Sequence, residues 1–310
     1  MIKWKLPQFG NSKLGYIMTR AAFRFFQLAF EYPDIELMFM VNKALKKEKG
    51  YDLLISIAVP YPIHWGVAWA RTAKHPVAKI WAADCGDPYM GNDLDTFRKL
   101  FYFKYIEKWF SRKADYISIP KESFKVNFYK DFHHKIIEIP QGFRFEDVRI
   151  RELPVKNEIP TFAFAGGFIK KFRDPSVFFH FLSEIGKDFR FILYTNSSSK
   201  IHIDPFLNIM NGKVEVRDYI PRDELIAELS KMDFLVNFEY DPLIQVPSKL
   251  IDYSLTRRPV LNIISSNFNG EVVNEFLSGN YTNQFLVPDL DQYRIETVCR
   301  KFLALLSDDQ

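Results

Sequence analysis

MDFLVNFEYDPLIQVPSKLIDYSLTRRPVLNI, residues 232–263, is the stretch whose reading decides the fold. Residues 234–238 read as a buried strand, followed by a polar loop, a helix entered near Pro247 and a second buried strand over 259–263. Leu250, Ile251, Tyr253 and Leu255 fall on more than one side of that helix, so neighbours must cover most of its surface. Pro247 suits a first helical turn, and Ser248, Lys249 and Asp252 bring polar groups to the place where a strand's carboxyl end meets a helix's amino end. Open α/β sheets bind ligands there.

Outward from this stretch the pattern repeats. Short apolar runs at 161–165, 189–194, 213–217, 234–238, 259–263 and 284–287, with helix-length segments between them, predict a six-stranded doubly wound domain over 159–310. A final helix over about 291–306 is expected to pack back toward the amino-terminal half. That half begins with two helical segments, 12–31 and 34–49, the second ending in a Lys-rich turn before Gly50. Runs at 53–59, 77–83, 116–119 and 136–139 then read as a parallel sheet buried on both faces. The division expected is 1–143, a charged linker at 144–158, and 159–310.

The motif Pro247-x-Lys249-Leu250-x-Asp252-Tyr253, followed by Pro259-Val260, resembles the carboxyl-terminal domain of GT-B retaining glycosyltransferases that build bacterial capsule, lipopolysaccharide and exopolysaccharide. The resemblance implies an α/β fold of two Rossmann-like, doubly wound domains facing a cleft. It matches the amino-terminal domain only at its later strands, so that domain is expected to be incomplete. Pro140-Gln141-Gly142-Phe143 is similar to the family's crossing turn between the domains. In the family the acidic residue of the motif, usually Glu and here Asp252, holds the ribose of a nucleotide sugar, and a second Glu eight positions earlier corresponds to Ile244.

The residues for such chemistry lie at predicted strand ends. Gly166-Gly167 lets backbone N–H groups approach a ligand that side chains would block. Departure of a diphosphate develops charge on phosphate oxygens, which Arg, Lys and loop amides stabilise. Arg173 and Lys249 are the closest matches to the family's basic pair, while Lys170 and Lys171 read as a solvated loop. Tyr219, in the loop after residues 213–217, borders the place where the family receives the base. Glu239 and Asp241 fall in the donor-sugar region, with Ser248 beside them.

Asp84 and Asp87, in Trp81-Ala-Ala-Asp-Cys-Gly-Asp-Pro-Tyr89, resemble the family's Asp-x-x-Asp-Pro segment and serve as acceptor-side catalytic candidates; they read equally as formers of an Asx turn. His64 follows the first predicted strand, where the resemblance puts acceptor-binding groups, although a lone histidine also reads as structural. Asp93 and Asp95 read as helix-capping residues rather than metal ligands, and His133-His134 lacks a third ligand at zinc spacing. No metal and no cofactor is expected beyond the nucleotide-sugar donor.

A 47% hydrophobic content over 310 residues supports two ordinary cores. Cys85 and Cys299 are too few for a disulfide framework, and no apolar run approaches the roughly 20 residues needed to span a bilayer. Met1-Ile-Lys-Trp-Lys lacks a signal-peptide core, so a cytoplasmic location is expected. The net charge of +4 is spread along the chain and accompanies no nucleic-acid-binding signature. Aromatic and basic residues interleave over 97–113 and again around Arg20, Phe23, Arg24, Phe25 and Phe26, predicting peripheral contact with an anionic membrane surface. The reading is a transferase acting on a glycan or lipid-linked acceptor. A non-catalytic nucleotide- or glycan-binding relative is the alternative, and an epimerase or phosphorylase of the same superfold also remains open. A dinucleotide oxidoreductase would require a Gly-x-Gly-x-x-Gly turn that Gly166-Gly167 does not supply.

Overall fold

A computed structural model describes residues 12–91, 99–148, 157–168, 173–210, 212–239 and 248–307. The chain divides into two compact units, Met1–Gly142 with Ile295–Gln310, and Phe143–Arg294.

The first unit opens with α1 (Lys13–Phe30), capped by the Ser12 side chain, and α2 (Ile35–Leu45). It continues through β1 (Tyr51–Ala58), α3 (Pro62–Ala70), β2 (Ala78–Cys85), α4 (Phe103–Lys113), β3 (Tyr116–Ile119) and β4 (Ile136–Glu138). The four strands form one parallel sheet in the order β1-β2-β3-β4. Side chains alternate across its two faces. Ser56 and Trp81 face α3, where Trp81 Nε1 donates to Ser56 Oγ at 2.8 Å and His64 Nδ1 lies 2.8 Å from the same oxygen. Ala82 and Leu53 belong to the other face and pack with Val298, Phe302 and Leu305. The helical reading of 97–113 holds only from Phe103 within the described residues, because 99–100 are irregular and Phe101 and Tyr102 form a turn. Asp93, Asp95 and Phe97 lie outside them.

The second unit runs through β5 (Thr161–Ala165), α5 (Ser176–Glu184), β6 (Arg190–Tyr194), α6 (Lys200–Leu207), β7 (Val214–Arg217), α7 (Arg222–Leu229), β8 (Phe234–Phe238), α8 (Ser248–Leu255), β9 (Val260–Ile263) and α9 (Gly270–Leu277). Its parallel strands take the order β7-β6-β5-β8-β9. This is the doubly wound arrangement, whose direction reverses between β5 and β8. The faces differ in size. Phe162 and Phe164 join Phe178, Phe191 and Phe234 on one side, with Phe162 stacked 4.7 Å from Phe191 and 4.6 Å from Phe234. Ala163 and Ala165 leave room on the other for Leu250 and Tyr253 of α8. The expected sixth strand at 284–287 does not form. Phe285 makes a single backbone bond to Val260 at 2.8 Å, and its ring packs on the core without extending the ladder.

A short 3-10 turn, Leu290–Tyr293, leads into α10 (Ile295–Ala304), which carries Val298 and Phe302 onto the first unit's sheet. No helix among the described residues is long and apolar enough to cross a membrane.

Candidate functional site

The reversal point between β5 and β8 is where a parallel sheet of this order leaves a crevice at its carboxyl edge, and β5 runs directly into Gly166-Gly167. Tyr253 fixes this turn from α8, its hydroxyl accepting from the Ala165 N–H at 2.7 Å. Gly166 has φ +142°, a conformation that favours glycine. A Cβ at Gly167 would meet Ser199 Oγ at 3.6 Å, Asn196 Nδ2 at 3.7 Å and the Tyr219 hydroxyl at 3.9 Å. The loops after β5, β6 and β7 therefore converge on one glycine.

Asn196 and Ser199 build the middle loop. Asn196 Oδ1 accepts from the Ser199 N–H at 3.1 Å and Oγ at 3.0 Å, and Ser199 Oγ in turn accepts from the Phe168 N–H at 3.0 Å. Thr195, just before this loop, buries an Oγ1 that has no partner among the described residues.

Two cations stand beside the turn. Arg173 is buried and its Nη1 donates to the Gly167 carbonyl at 3.2 Å. Lys249, in the first turn of α8, is half-buried as a residue, yet its Nζ is buried with no hydrogen-bond partner among the described residues and lies 4.3 Å over the Phe164 ring. Burial, and secondarily the charge of Arg173, pushes the Lys249 pKa well below the ordinary lysine range. A buried amine without a counter-charge is costly unless an anion completes it.

Asp252 lies one turn further along α8. Arg222 donates to its Oδ1 through Nη2 at 2.6 Å and through Nε at 3.0 Å. On the other side of β5, Glu239 ends a polar chain across β8 and β9. Asn237 Nδ2 donates to Asn262 Oδ1 at 2.6 Å, and Asn262 Nδ2 donates to Glu239. Asn237 and Asn262 are register partners, and a polar residue inside each apolar run, FLVNF and VLNI, was the available signal for this chain. Asp241, Lys170, Lys171 and Ile244 lie outside the described residues, as does the side chain of Ser248. Tyr219 is exposed beside a cavity of about 490 Å³ lined by Tyr194, Arg217, Asp218, Ile220, Glu224 and Glu228.

In the first unit the three acceptor-side candidates have different surroundings. Asp87 is exposed, with its backbone carbonyl accepting from the Tyr61 hydroxyl. Asp84 is half-buried; burial raises its pKa against the opposing bond from Ser118 Oγ at 2.8 Å. His64 is fully buried between Tyr61 and Phe110, with Nε2 3.6 Å from Cys85 Sγ and Nδ1 against Ser56. Burial lowers its pKa to about 3. Its ring thus serves the interior and reaches no solvent-borne acceptor, unlike the acceptor-side role its position suggests. His133 Nε2 bonds the Phe128 carbonyl region at 3.0 Å, and no group of three His, Cys, Asp or Glu able to hold a metal ion occurs among the described residues.

No protein-family model matches this sequence, and no curated protein sequence does. Solved structures do match it in fold. A glycosyltransferase from Rickettsia africae ESF-5 aligns with a TM-score of 0.60 at 10% identity, covering 88% of this chain and 80% of that one. A lipopolysaccharide outer core galactosyltransferase, WaaB, aligns at 0.55 and 10% identity over 88% and 80%. A putative UDP-N-acetylglucosamine 2-epimerase from Listeria monocytogenes aligns at 0.55 and 10% identity over 88% and 78%. At these identities the likeness establishes the fold: two parallel-sheet α/β units of GT-B type.

Proposed function

We propose that this protein transfers a sugar from a nucleotide-sugar donor to a glycan or lipid-linked acceptor, with retention at the anomeric carbon, in the assembly of a bacterial surface polysaccharide. The observation that carries the reading is the buried Lys249 Nζ, without a hydrogen-bond partner among the described residues, beside Arg173 at the Gly166-Gly167 turn. In a transfer reaction the bond between the sugar's anomeric carbon and the diphosphate oxygen breaks, the acceptor oxygen bonds that carbon, and the acceptor's proton leaves. The negative charge released falls on the diphosphate. Lys249, Arg173 and the glycine-turn amides are the groups suited to it, and they act most strongly where water is excluded.

Asp252 is assigned to the ribose hydroxyls, which requires either Oδ2 or displacement of Arg222 from Oδ1. The base is assigned to the cavity beside Tyr219, and the sugar to Glu239, Asp241 and Ser248. Asp84 and Asp87 are assigned to the acceptor side. The epimerase neighbour shares the fold and differs in reaction, so turnover is the deciding measurement. Incubation with a panel of nucleotide sugars, with and without glycan acceptors, should release nucleoside diphosphate together with a glycosylated acceptor. Nucleotide binding without any release would support the non-catalytic alternative, and a changed donor sugar without transfer would support epimerisation. Asp252→Ala should weaken nucleoside diphosphate binding by ~1–3 kcal/mol in calorimetry; unchanged affinity in the folded variant would remove Asp252 from the site.

A further inference from the structure

α1 contains no Asp or Glu between Ser12 and Phe30 and carries Lys13, Arg20 and Arg24. Its inward side is made of small residues: Gly15 and Ala29 are buried and Ala22 half-buried, at seven-residue spacing. The Tyr102 hydroxyl fastens the helix by donating to the Ala29 carbonyl. The large apolar residues lie elsewhere on the cylinder. Leu14, Ile17, Met18, Ala21 and Phe25 follow the i, i+3, i+4, i+7, i+11 spacing of a single stripe. Leu14 is 68% exposed, Ile17 54%, Met18 47% and Phe25 61%. A helix that hid its apolar stripe in the protein would show the reverse.

The same wheel places Lys13, Arg20 and Arg24 about a quarter-turn from the stripe on one side, with Tyr16 next beyond them and Arg20 set 5.7 Å over the Tyr16 ring. An apolar stripe bordered by basic residues and an amphipathic aromatic matches the boundary between acyl chains and anionic headgroups. α4 is built otherwise. Phe103, Glu107 and Phe110 are buried, and Lys104 and Lys108 lie over the Tyr105 and Tyr129 rings at 4.9 and 4.5 Å.

We infer that α1 is a membrane-docking helix that lies in the plane of an anionic lipid surface, with Leu14, Ile17, Met18 and Phe25 among the acyl chains and Lys13, Arg20 and Arg24 at the phosphates. Charge decides the occupant. A second copy pairing through this stripe would bring two basic borders together with no acid on either helix to neutralise them, whereas lipid phosphates complement them. The docking does not depend on which reaction the second unit carries out.

The test uses the full chain and vesicles of phosphatidylcholine with or without phosphatidylglycerol. The protein should sediment with the anionic vesicles at low salt, and much less with neutral vesicles or at high salt. Arg20→Gln with Arg24→Gln should weaken partitioning roughly 30-fold, about fivefold per charge. Ile17→Asp with Phe25→Asp should abolish it, and Tyr105→Ser on α4 should leave it unchanged. A Phe25→Trp variant should be quenched by brominated lipid. Failure of the wild type to bind anionic vesicles at low salt, or sedimentation with an unquenched indole at that position, overturns the inference. So does a dimer in light scattering that Ile17→Asp with Phe25→Asp converts to monomer.

Discussion

His64 and Glu107 occupy the same unit and titrate in opposite senses. His64 is buried neutral, with a pKa near 3 against an ordinary 6.5. Glu107 of α4 is buried with neither carboxylate oxygen in hydrogen-bond geometry to a described partner, and burial raises its pKa to about 7, against weaker lowering by Met90 and Tyr129. Acidification below pH 6.5 protonates His64 only in the unfolded chain, so stability falls as pH drops toward 3. Acidification from 7 to 4.5 protonates Glu107 first in the folded chain, so stability rises over that window. Each slope is at most roughly 1.4 kcal/mol per pH unit. Between 6.5 and 4.5 they oppose, and the net loss appears below 4.5. Denaturant melts at several pH values should therefore show His64→Gln gaining stability from pH 7 to 5 and Glu107→Gln losing it below 6.5; parallel curves for wild type and both variants would refute the assignment. Lys249 makes a prediction of the same kind for binding. Its depressed pKa must rise when a diphosphate arrives, so in the pH window between the depressed and the restored value binding should take up a proton, visible as a dependence of the calorimetric heat on buffer ionisation enthalpy. Affinity should fall as pH rises above the depressed value, by up to about tenfold per unit, and Lys249→Met should remove both effects. The placement of Lys249 and Gly166-Gly167 was legible because strand-to-helix junctions mark the sheet's carboxyl edge. The environment of His64 was not, since a histidine after a strand looks the same whether its helix turns it inward or outward.

At the scale of elements, β3, β5 and β8 match their sequence-predicted bounds, because an apolar run buried on both faces leaves few alternatives. The run at 284–287 is also largely apolar, but it pairs through one backbone bond and leaves Leu286 69% exposed, so composition there predicted neither a ladder nor burial. The aromatic-basic segments were harder: periodicity marks α1 and α4 as amphipathic alike, while only tertiary packing tells that α4 turns Phe103 and Phe110 inward and α1 turns Gly15 and Ala29. The joint between α2 and α3 depends on one missing side chain. A Cβ on Gly66 would sit 2.7 Å from both the Met38 carbonyl oxygen and Val41 Cβ. Gly66→Ala should force these helices apart and destabilise the unit by ~1–3 kcal/mol, measured as a lowered thermal midpoint, whereas Gly186→Ala, with nothing within 4 Å of the added atom, should not.

Taken whole, the molecule is two units threaded in an interrupted order. The chain leaves the first unit after Gly142 and re-enters it at Ile295, so Phe143–Arg294 is one continuous run while the first unit is not. α10 and the turn after it cover the sheet face that holds Leu53, Ala82 and Ile139, using Val298 and Phe302 of the helix and Leu305 of the turn. Burial of each such side chain is worth roughly 1.5–3 kcal/mol, and the three together approach the roughly 5–15 kcal/mol by which a domain is stable at all. A chain ending at Arg294 should therefore lose the protease resistance of its first unit and keep that of the second; equal resistance in both would show α10 to be dispensable. The sequence reading expected a linker at 144–158 and a final helix packing toward the first half; by compactness α10 groups with the first unit and Phe143–Arg294 form the second. This path also sets a timetable on the ribosome. With the chain emerging at ~5–20 residues per second, the first unit's sheet waits on the order of ten seconds for its last helix, and the later-made unit has all its residues first. Until then Leu53, Ala82 and Ile139 are open to whatever apolar surface the nascent chain meets.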